Sequence, residues 1–310
     1  MTTALLVLAR ALHIGSAMLL IALPFFTVFV LRPARAEDHF NRDEAFCRRM
    51  IAFLWVVLTV EAISGAVWLW LVAAEMNDVS PWGGLTLANM EAVLFQTSFG
   101  QLWIGRWIVL VILALLLGWL GKSAALHRPK PNSATWLFLI LAGGLLASLA
   151  WAGHAGSDAR WHFWHLFVDM AHLGAGAIWP LGLFPLVIYL RRSLREAGGF
   201  AENDIAVVRR FSRASLAAVL ILIGSGVANS WLMLPSWSAL FISAYGWLLL
   251  GKILVVAVMV GIGAFNRARL LPMLPQGCAP RLIQSIVIES ILALVVLLIV
   301  GLMGITPPGS

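Results

Sequence analysis

Eight long apolar runs dominate this sequence and decide what the chain can fold into. Each run holds about 20 residues or more, which at 1.5 Å per residue crosses the roughly 30 Å hydrocarbon core of a bilayer. Of the 310 residues, 61% are hydrophobic and 11% are charged, whereas a soluble domain carries about 25% charged residues. The composition excludes a water-soluble globular protein and a disordered chain. It predicts an all-α polytopic membrane protein, because barrel strands would alternate over segments of about 10 residues.

The eight predicted spans share this length and apolar character. They cover residues 4–31, 51–74, 99–121, 134–153, 164–190, 211–234, 244–266 and 283–304. The first run lacks the basic start of a signal peptide and is longer than a typical signal-peptide core, so it is interpreted as a span. The connecting segments are too short for a soluble domain, and a single membrane domain is therefore expected.

Positive charge divides the connecting segments into two sets. Seventeen of the 21 Lys and Arg residues lie in the segments 32–50, 122–133, 191–213 and 267–282, which eight alternating spans place on one side. A connection on the other side holds only Arg160. The positive-inside rule predicts that the arginine-rich side is cytoplasmic and that both termini lie outside. The net positive charge thus reports topology, and no nucleic-acid partner is expected.

Three short motifs occur twice, in the same order, and indicate an internal duplication. The pairs are His13-Ile14-Gly15 with His172-Leu173-Gly174, Ser64-Gly65 with Ser225-Gly226, and Phe99-Gly100 up to Arg106 with Tyr245-Gly246 up to Lys252. They predict two parallel four-helix repeats, residues 1–153 and 164–304, related by an axis along the membrane normal. Sites in such proteins tend to lie at the repeat interface. Chance similarity between apolar helices is the alternative.

Histidines and one aspartate in the outer half of the spans carry the functional signal. An ionisable residue at mid-bilayer costs roughly 2.5–3.5 kcal/mol, so such residues are by default functional or paired. In span five, steps of three, four and three residues place four polar side chains on one helical face. We expect His13, Asp169 and His172 to converge, with the other histidines leading to them from the outer surface. The candidate metal ligands are His13, His154, His162, His165, Asp169 and His172.

This pattern leaves several kinds of site open. Imidazole and carboxylate together suit Cu(II), Zn or Ni, and Met18 or Met170 would assist a Cu(I) ion. Alternatively, two histidines on facing helices would ligate a b-type haem in an electron-transfer protein. In that case His13 and His172 are the axial ligands, and Arg106 and Lys252 hold the propionates. A His/Asp chain that relays protons and histidines that only pack between helices are the other interpretations.

Two buried glutamates complete the set of polar residues within the spans. Glu61 lies in the middle of span two with no charge within one helical turn. We therefore expect it to pair across helices with Arg10 or Arg106, or to carry a proton. Glu289 lies toward the cytoplasmic end of span eight and is expected to face the inner boundary. The sequence has no G-x-x-x-x-G-K-[ST] motif, and no enzymatic activity is expected.

The sequence resembles the copper resistance D family of inner-membrane proteins over nearly its whole length. The resemblance rests on His13, Gly153-His154-Ala155, Asp169-x-x-His172 followed by Trp179, Arg210-Phe211-Ser212, Tyr245-Gly246 with Lys252, and Asn266-Arg267. Members of this family are regarded as moving copper from the periplasm toward the cytoplasm, often beside a periplasmic copper-binding protein.

For this chain the resemblance implies a multi-pass inner-membrane protein of copper transport and copper resistance. Its termini would be periplasmic, its cargo a copper ion and its solvent the lipid bilayer. His13, His154, Asp169 and His172 would be copper ligands. The sequence departs from the family at Pro180-Leu181-Gly182, where typical members are described with a glycine pair. This departure predicts a different local helix geometry after Trp179.

Overall fold

The protein is described from a computed structural model, which covers residues 2–34, 40–122, 131–152, 162–234 and 236–307. Throughout these residues the regular structure is helical. Eight helical segments are long and apolar enough to cross a membrane, which confirms the predicted spans. The helices are α1 (Thr2–Phe25), α2 (Phe40–Met76), α3 (Leu87–Gln96), α4 (Ser98–Lys122), α5 (Ser133–Ala147), α6 (Leu149–Ala152), α7 (His162–Ile178), α8 (Leu183–Ala197), α9 (Glu202–Met233), α10 (Ala239–Ile242), α11 (Ala244–Phe265) and α12 (Ala279–Met303).

Two helices extend well beyond the predicted spans at the arginine-rich end. Helix α2 begins at Phe40 and α9 at Glu202, about ten residues before the apolar runs that were predicted to span. In α9, Asp204 lies in the first turn and accepts a hydrogen bond from the backbone N–H of Ala201 at 2.8 Å. A carboxylate at this position satisfies a free helix N–H and complements the helix dipole. The polar residues before each apolar run therefore extend these two helices beyond the predicted spans.

Span five is broken at Pro180-Leu181-Gly182. Helix α7 ends at Ile178 and α8 begins at Leu183, with a turn between them. Pro180 has no backbone N–H and cannot continue the helical ladder. A Cβ at Gly182 would meet the ring of Phe211 at 2.9 Å, so the glycine lets span five approach α9 closely. The helix is thus interrupted directly after Ile178, while a difference from typical family members stays a prediction.

Spans three and seven begin in the same way. Thr97 Oγ1 accepts from the backbone N–H of Gly100 at 3.0 Å, and Ser243 Oγ accepts from that of Gly246 at 2.9 Å. Each hydroxyl caps its helix by satisfying one of the free N–H groups at its start. The short helices α3 and α10, which were not predicted, fold back directly before these caps.

Glycine is required at both of these starts. A Cβ at Gly100 would overlap the backbone of Val93 in α3, and a Cβ at Gly246 would overlap the carbonyl of Ala239 in α10. The repeated aromatic-glycine motif therefore marks a close approach between two backbones. Arg106 and Lys252 each follow nine residues after the capping hydroxyl, about 14 Å along the helix.

Spans one and five are the most enclosed of the eight. In their apolar windows 72% and 67% of the residues are buried, against 17% and 11% in spans six and seven. Helix α1 packs against α2, α5, α7 and α12, which places it at the centre of the bundle. The two central spans carry His13 and His172, so both histidines lie in the interior of the protein.

Candidate functional site

In the first half of the chain, His13, Glu61 and Arg106 form one closed cluster. All three side chains are buried, with 5% exposure or less. Arg106 Nη2 lies 2.8 Å from Glu61 Oε1 and 2.7 Å from His13 Nε2. Ser16 Oγ donates to the other carboxylate oxygen, Glu61 Oε2, at 2.6 Å. The expectation that Glu61 pairs across helices with Arg10 or Arg106 is confirmed, and the partner is Arg106.

The contact with Arg106 determines how His13 is used. A guanidinium N–H only donates, so His13 Nε2 must accept through its lone pair. The other ring nitrogen, Nδ1, then carries the hydrogen and donates to the Glu61 carbonyl at 3.1 Å. The ring also stacks on Trp103, with centroids 5.6 Å apart. The nitrogen of His13 that would ligate a metal ion is therefore occupied by Arg106.

Arg106 is held on its other side as well. Its Nη1 donates to the carbonyl of Leu145 at 2.6 Å and to the hydroxyl of Ser148. These bonds join spans one, two, three and four through one guanidinium. Both terminal nitrogens of Arg106 are engaged by protein groups.

The second half holds a looser cluster around His172. His172 Nδ1 lies 2.9 Å from Ser225 Oγ, and Lys252 Nζ lies 3.5 Å from His172 Nε2. Asp169 Oδ1 accepts from Asn229 Nδ2 at 3.1 Å, and it lies within electrostatic reach of Lys252 and of the buried His165. A carboxylate, two histidines and one ammonium group therefore share this region.

The two halves make the same contacts at matching positions. His13 Nδ1 lies 3.3 Å from Ser64 Oγ, as His172 Nδ1 lies near Ser225. The glycine after each serine faces the edge of the histidine ring. In both halves a cationic side chain faces Nε2 of the histidine. These matches support the predicted duplication, while the superposition of residues 1–153 on 164–304 stays a prediction.

The halves differ in the charge of the residue that lies three positions before each histidine. Three residues before His13 is Arg10, whose guanidinium lies 4.4 Å from the centre of the Trp68 ring. Three residues before His172 is Asp169, which is bonded to Asn229. When the two halves are aligned on their Ser-Gly motifs, Trp68 and Asn229 also occupy matching positions, each four residues after its serine. The first half therefore presents a cation above its histidine and the second half an anion.

The predicted ligands do not form one preformed cage. Within the described ranges, no three His, Cys, Asp or Glu side chains are grouped so that they could hold a metal ion together. His13 and His172 each contact the serine and the cation of their own half. A shared site of His13, Asp169 and His172 thus remains a prediction.

The remaining candidates fall into two groups. His154 lies outside the described residues, and His162 begins α7 without a described side chain. Met18 is buried, with its methyl group beside Gly176, and Met170 packs against Ala150 and Leu166.

Several residues of these clusters were not singled out as parts of a site. Ser16, Ser64, Ser225 and Trp103 all contact a histidine or a carboxylate of the clusters. The repeated Ser-Gly motif was the available signal, because it places a hydroxyl and a side-chain-free position at equal depth in both halves.

Comparison with known proteins places the chain among copper-related membrane proteins. The family model of the copper resistance protein D-like N-terminal domain matches residues 1–164, and that of copper resistance protein D matches residues 205–303. Copper resistance protein D of Pseudomonas syringae pv. tomato is 28% identical over 257 residues, which cover 82% of this chain and 78% of that protein. No solved structure gives a match.

Two further relatives have similar identity. Copper transport protein CutJ of Bacillus subtilis (strain 168) is 28% identical over 262 residues, which cover 83% of this chain but 45% of that protein. Inner membrane protein YebZ of Escherichia coli (strain K12) is 29% identical over 274 residues, which cover 84% of this chain and 88% of that protein.

Proposed function

This chain belongs to the copper resistance D family, and from that premise we propose that it carries copper ions across the inner membrane, from the periplasm toward the cytoplasm. Its eight apolar helices make it a multi-pass membrane protein. Two relatives are named for copper resistance and copper transport. The sorting of positive charge supports an orientation in which the histidines face the periplasm. The periplasmic copper donor in this proposal is a copper-binding protein.

The charge difference between the halves is the observation that carries the proposed route. Asp169 lies above His172, whereas Arg10 lies above His13. In a low-dielectric surrounding a nearby carboxylate attracts an incoming cation and a guanidinium repels it. Copper therefore enters through the second half, past His162 and His165 to Asp169 and His172. His154 assists at the outer surface.

Lys252 is the group that copper replaces at His172. Its ammonium faces the lone pair of Nε2 at 3.5 Å, on a flexible four-carbon stem. When Lys252 moves away, Nε2 and the Asp169 carboxylate become available as nitrogen and oxygen ligands. Met18 and Met170 supply soft ligands nearby if the ion is Cu(I).

In this proposal the side chains around His13 in the first half are held more rigidly than those around His172 in the second half. Arg106 binds His13 and Glu61 and is anchored on Leu145 and Ser148. His13 joins the copper site only if this guanidinium leaves it. Arg106 and Glu61 accordingly hold the bundle together while the second half exchanges its cation.

The structure around His13 favours a bare ion over haem. The cavity bounded by His13, Glu61 and Arg106 measures about 10 Å³, which is about the space of a single water molecule. A macrocycle does not fit there, and the nitrogens of Arg106, one of the two residues predicted to hold propionates, already bind Glu61, His13 and backbone. Copper transport is therefore preferred to haem-based electron transfer.

Copper uptake into proteoliposomes tests the proposal. The parent protein, His172→Ala and the control His127→Ala are reconstituted separately, copper is added outside, and vesicle copper is measured after washing. We expect uptake with the parent and the control, and loss with His172→Ala. Equal uptake by His172→Ala would place the site elsewhere. A visible spectrum of the same samples tests haem, since a Soret band with sharp α and β bands on reduction would contradict the bare ion.

A further inference from the structure

A cavity with polar groups on its wall lies at the end of the bundle opposite the histidines. Residues of helices α8, α9, α11 and α12 line a cavity of about 180 Å³ near the arginine-rich end. Its walls are mainly apolar and include Trp179 and Phe211. Trp179 follows His172 by seven residues along span five, or about 10 Å. The cavity thus begins shortly below the outer cluster.

Among the residues that the structure describes, Glu289 is the one carboxylate on the wall of this cavity. Its side chain is 2% exposed, and its Oε1 accepts from Asn266 Nδ2 at 2.6 Å. Ser285 Oγ fixes that amide by donating to Asn266 Oδ1 at 2.7 Å. The expectation that Glu289 faces the inner boundary is wrong, because the side chain points into the protein instead of toward solvent or headgroups.

The surroundings of Glu289 lack the cation that a buried carboxylate normally has. Within the described part of the chain no Lys or Arg forms an ion pair with it, in contrast to Glu61 and Arg106. Carboxylates inside a membrane almost always pair with a cation or lie on an ion path. Ser215 Oγ also lines this cavity and is buried with no hydrogen-bond partner among the described residues.

One cationic side chain, that of Arg267, bridges two walls of the cavity at the arginine-rich end. Arg267, just after α11, donates through Nη1 to the carbonyl and the hydroxyl of Ser212 in α9, at 3.1 and 3.0 Å. Both residues line the cavity. These exposed bonds join α9 to the end of span seven, which are the two least enclosed spans.

We propose that this cavity is an inner station on the copper path, where the ion binds the Glu289 carboxylate and the hydroxyl oxygen of Ser215 before it leaves past Arg267. The inference rests on the proposed transport function and extends it into the cytoplasmic half. The missing counter-charge of Glu289 is then the ion in transit. Oxygen ligands hold copper more weakly than imidazole does, and conduction requires inner sites weak enough to release the ion.

A copper trap tests whether ions pass through the cavity. Ser215→Cys adds a thiol, a soft ligand that binds Cu(I) tightly, to the cavity wall. Cells are grown with copper, the protein is purified, and copper per chain is measured. We expect about one extra copper ion per chain relative to the parent. The matched control is Ser290→Cys, because Ser290 is next to Glu289 but bonds Ile286 and is not on the cavity wall.

Adding His172→Ala to the trap tests the direction of arrival. If copper comes down from the outer site, the double variant Ser215→Cys/His172→Ala loses the extra ion. An extra ion that persists in the double variant would mean that copper reaches the cavity from the cytoplasm, which overturns the proposed station. No extra copper in Ser215→Cys would overturn it as well.

Proteoliposome uptake tests Glu289 itself. We expect Glu289→Gln to lower uptake at least tenfold while copper binding at the outer site is retained, and Glu289→Asp to keep measurable uptake. The control is Glu196→Gln, since Glu196 is exposed and pairs with Arg192. Parental uptake by Glu289→Gln with His172→Ala inactive would overturn the station alone. Parental uptake by His172→Ala would overturn the proposed function. If Glu289→Gln fails to fold, uptake by Glu289→Asp and the copper content of Ser215→Cys decide whether the cavity lies on the copper path.

Discussion

Arg106 donates to His13 across 2.7 Å, so Nε2 of this buried histidine, a candidate metal ligand, faces a cation that belongs to the protein. Lys252 stands in the same relation to His172, at the longer distance of 3.5 Å. A copper ion reaches either histidine only when the tethered cation moves. Because Arg106 has several further partners, the two histidines differ in how readily their nitrogen is freed.

Replacement of Arg106 should destabilise the protein. Arg106→Leu leaves Glu61 as an unpaired buried carboxylate, and breaking a buried pair from one side costs about 3–5 kcal/mol. We expect a clearly lower thermal unfolding midpoint in detergent, measured by intrinsic fluorescence. The double variant Glu61→Gln/Arg106→Leu should recover most of the loss. Arg192→Leu, which breaks an exposed pair, should change stability by about 1 kcal/mol or less, and an equal loss in both single variants would contradict the assignment.

Replacement of Lys252 should strengthen copper binding. Lys252→Leu removes the ammonium group that faces His172 Nε2, so copper no longer competes with it. We expect the affinity to rise about tenfold, equivalent to about 1.4 kcal/mol, in competition titrations of purified protein against a copper chelator. Lys252→Arg keeps the positive charge and should not show the increase. Equal affinities of the Leu and Arg variants would show that the cation does not control this site.

The sequence was sufficient for the features that depend on length, depth and charge balance. Apolar runs predicted all eight spans. The need of a buried carboxylate for a partner limited Glu61 to Arg10, Arg106 or a proton, and the structure pairs it with Arg106. The repeated glycine motif placed Arg106 and Lys252 at equal depth because each follows a cap by the same number of residues.

The sequence did not determine the direction in which each histidine side chain points around its helix axis. Equal depth suggested that His13 and His172 meet, but depth does not determine which neighbour a ring faces. Each ring faces the serine and the cation of its own half. Glu289 was misjudged for a related reason, since its position along α12 did not reveal the amide of Asn266 on a neighbouring segment.

The glycines beside the two histidine rings should respond differently to alanine. A Cβ at Gly65 would lie 2.9 Å from His13 Cε1, whereas one at Gly226 would lie 3.4 Å from His172 Cε1. Alanine gains about 1 kcal/mol over glycine in a helix, but overpacking costs about 1–3 kcal/mol. Thermal unfolding should therefore show Gly65→Ala less stable than the parent and Gly226→Ala equal or more stable. The reverse order would mean that the first-half ring has room to move.

Both chain termini should lie outside the cytoplasm. Seventeen Lys and Arg residues fall in the connections at one end of the bundle, and cytoplasmic loops carry such an excess. Alkaline phosphatase, which is active only in the periplasm, should be active when fused after Ser310 and inactive when fused near Gly199. Green fluorescent protein fusions at the same positions should give the opposite pattern. A cytoplasmic C-terminus would reverse the direction in which the histidines face.

The charge above each histidine should decide which half admits copper. Asp169→Asn keeps the size and the contact with Asn229 but removes the negative charge, so we expect proteoliposome uptake to fall about tenfold with unchanged thermal stability. Asp78→Asn is the control, because Asp78 also lies at the histidine end but in a turn after α2. Arg10→Gln should leave uptake through the second half within about twofold of the parent. If Arg10→Gln lowers uptake as much as Asp169→Asn does, copper does not prefer the second half, and the asymmetry of charge has another role.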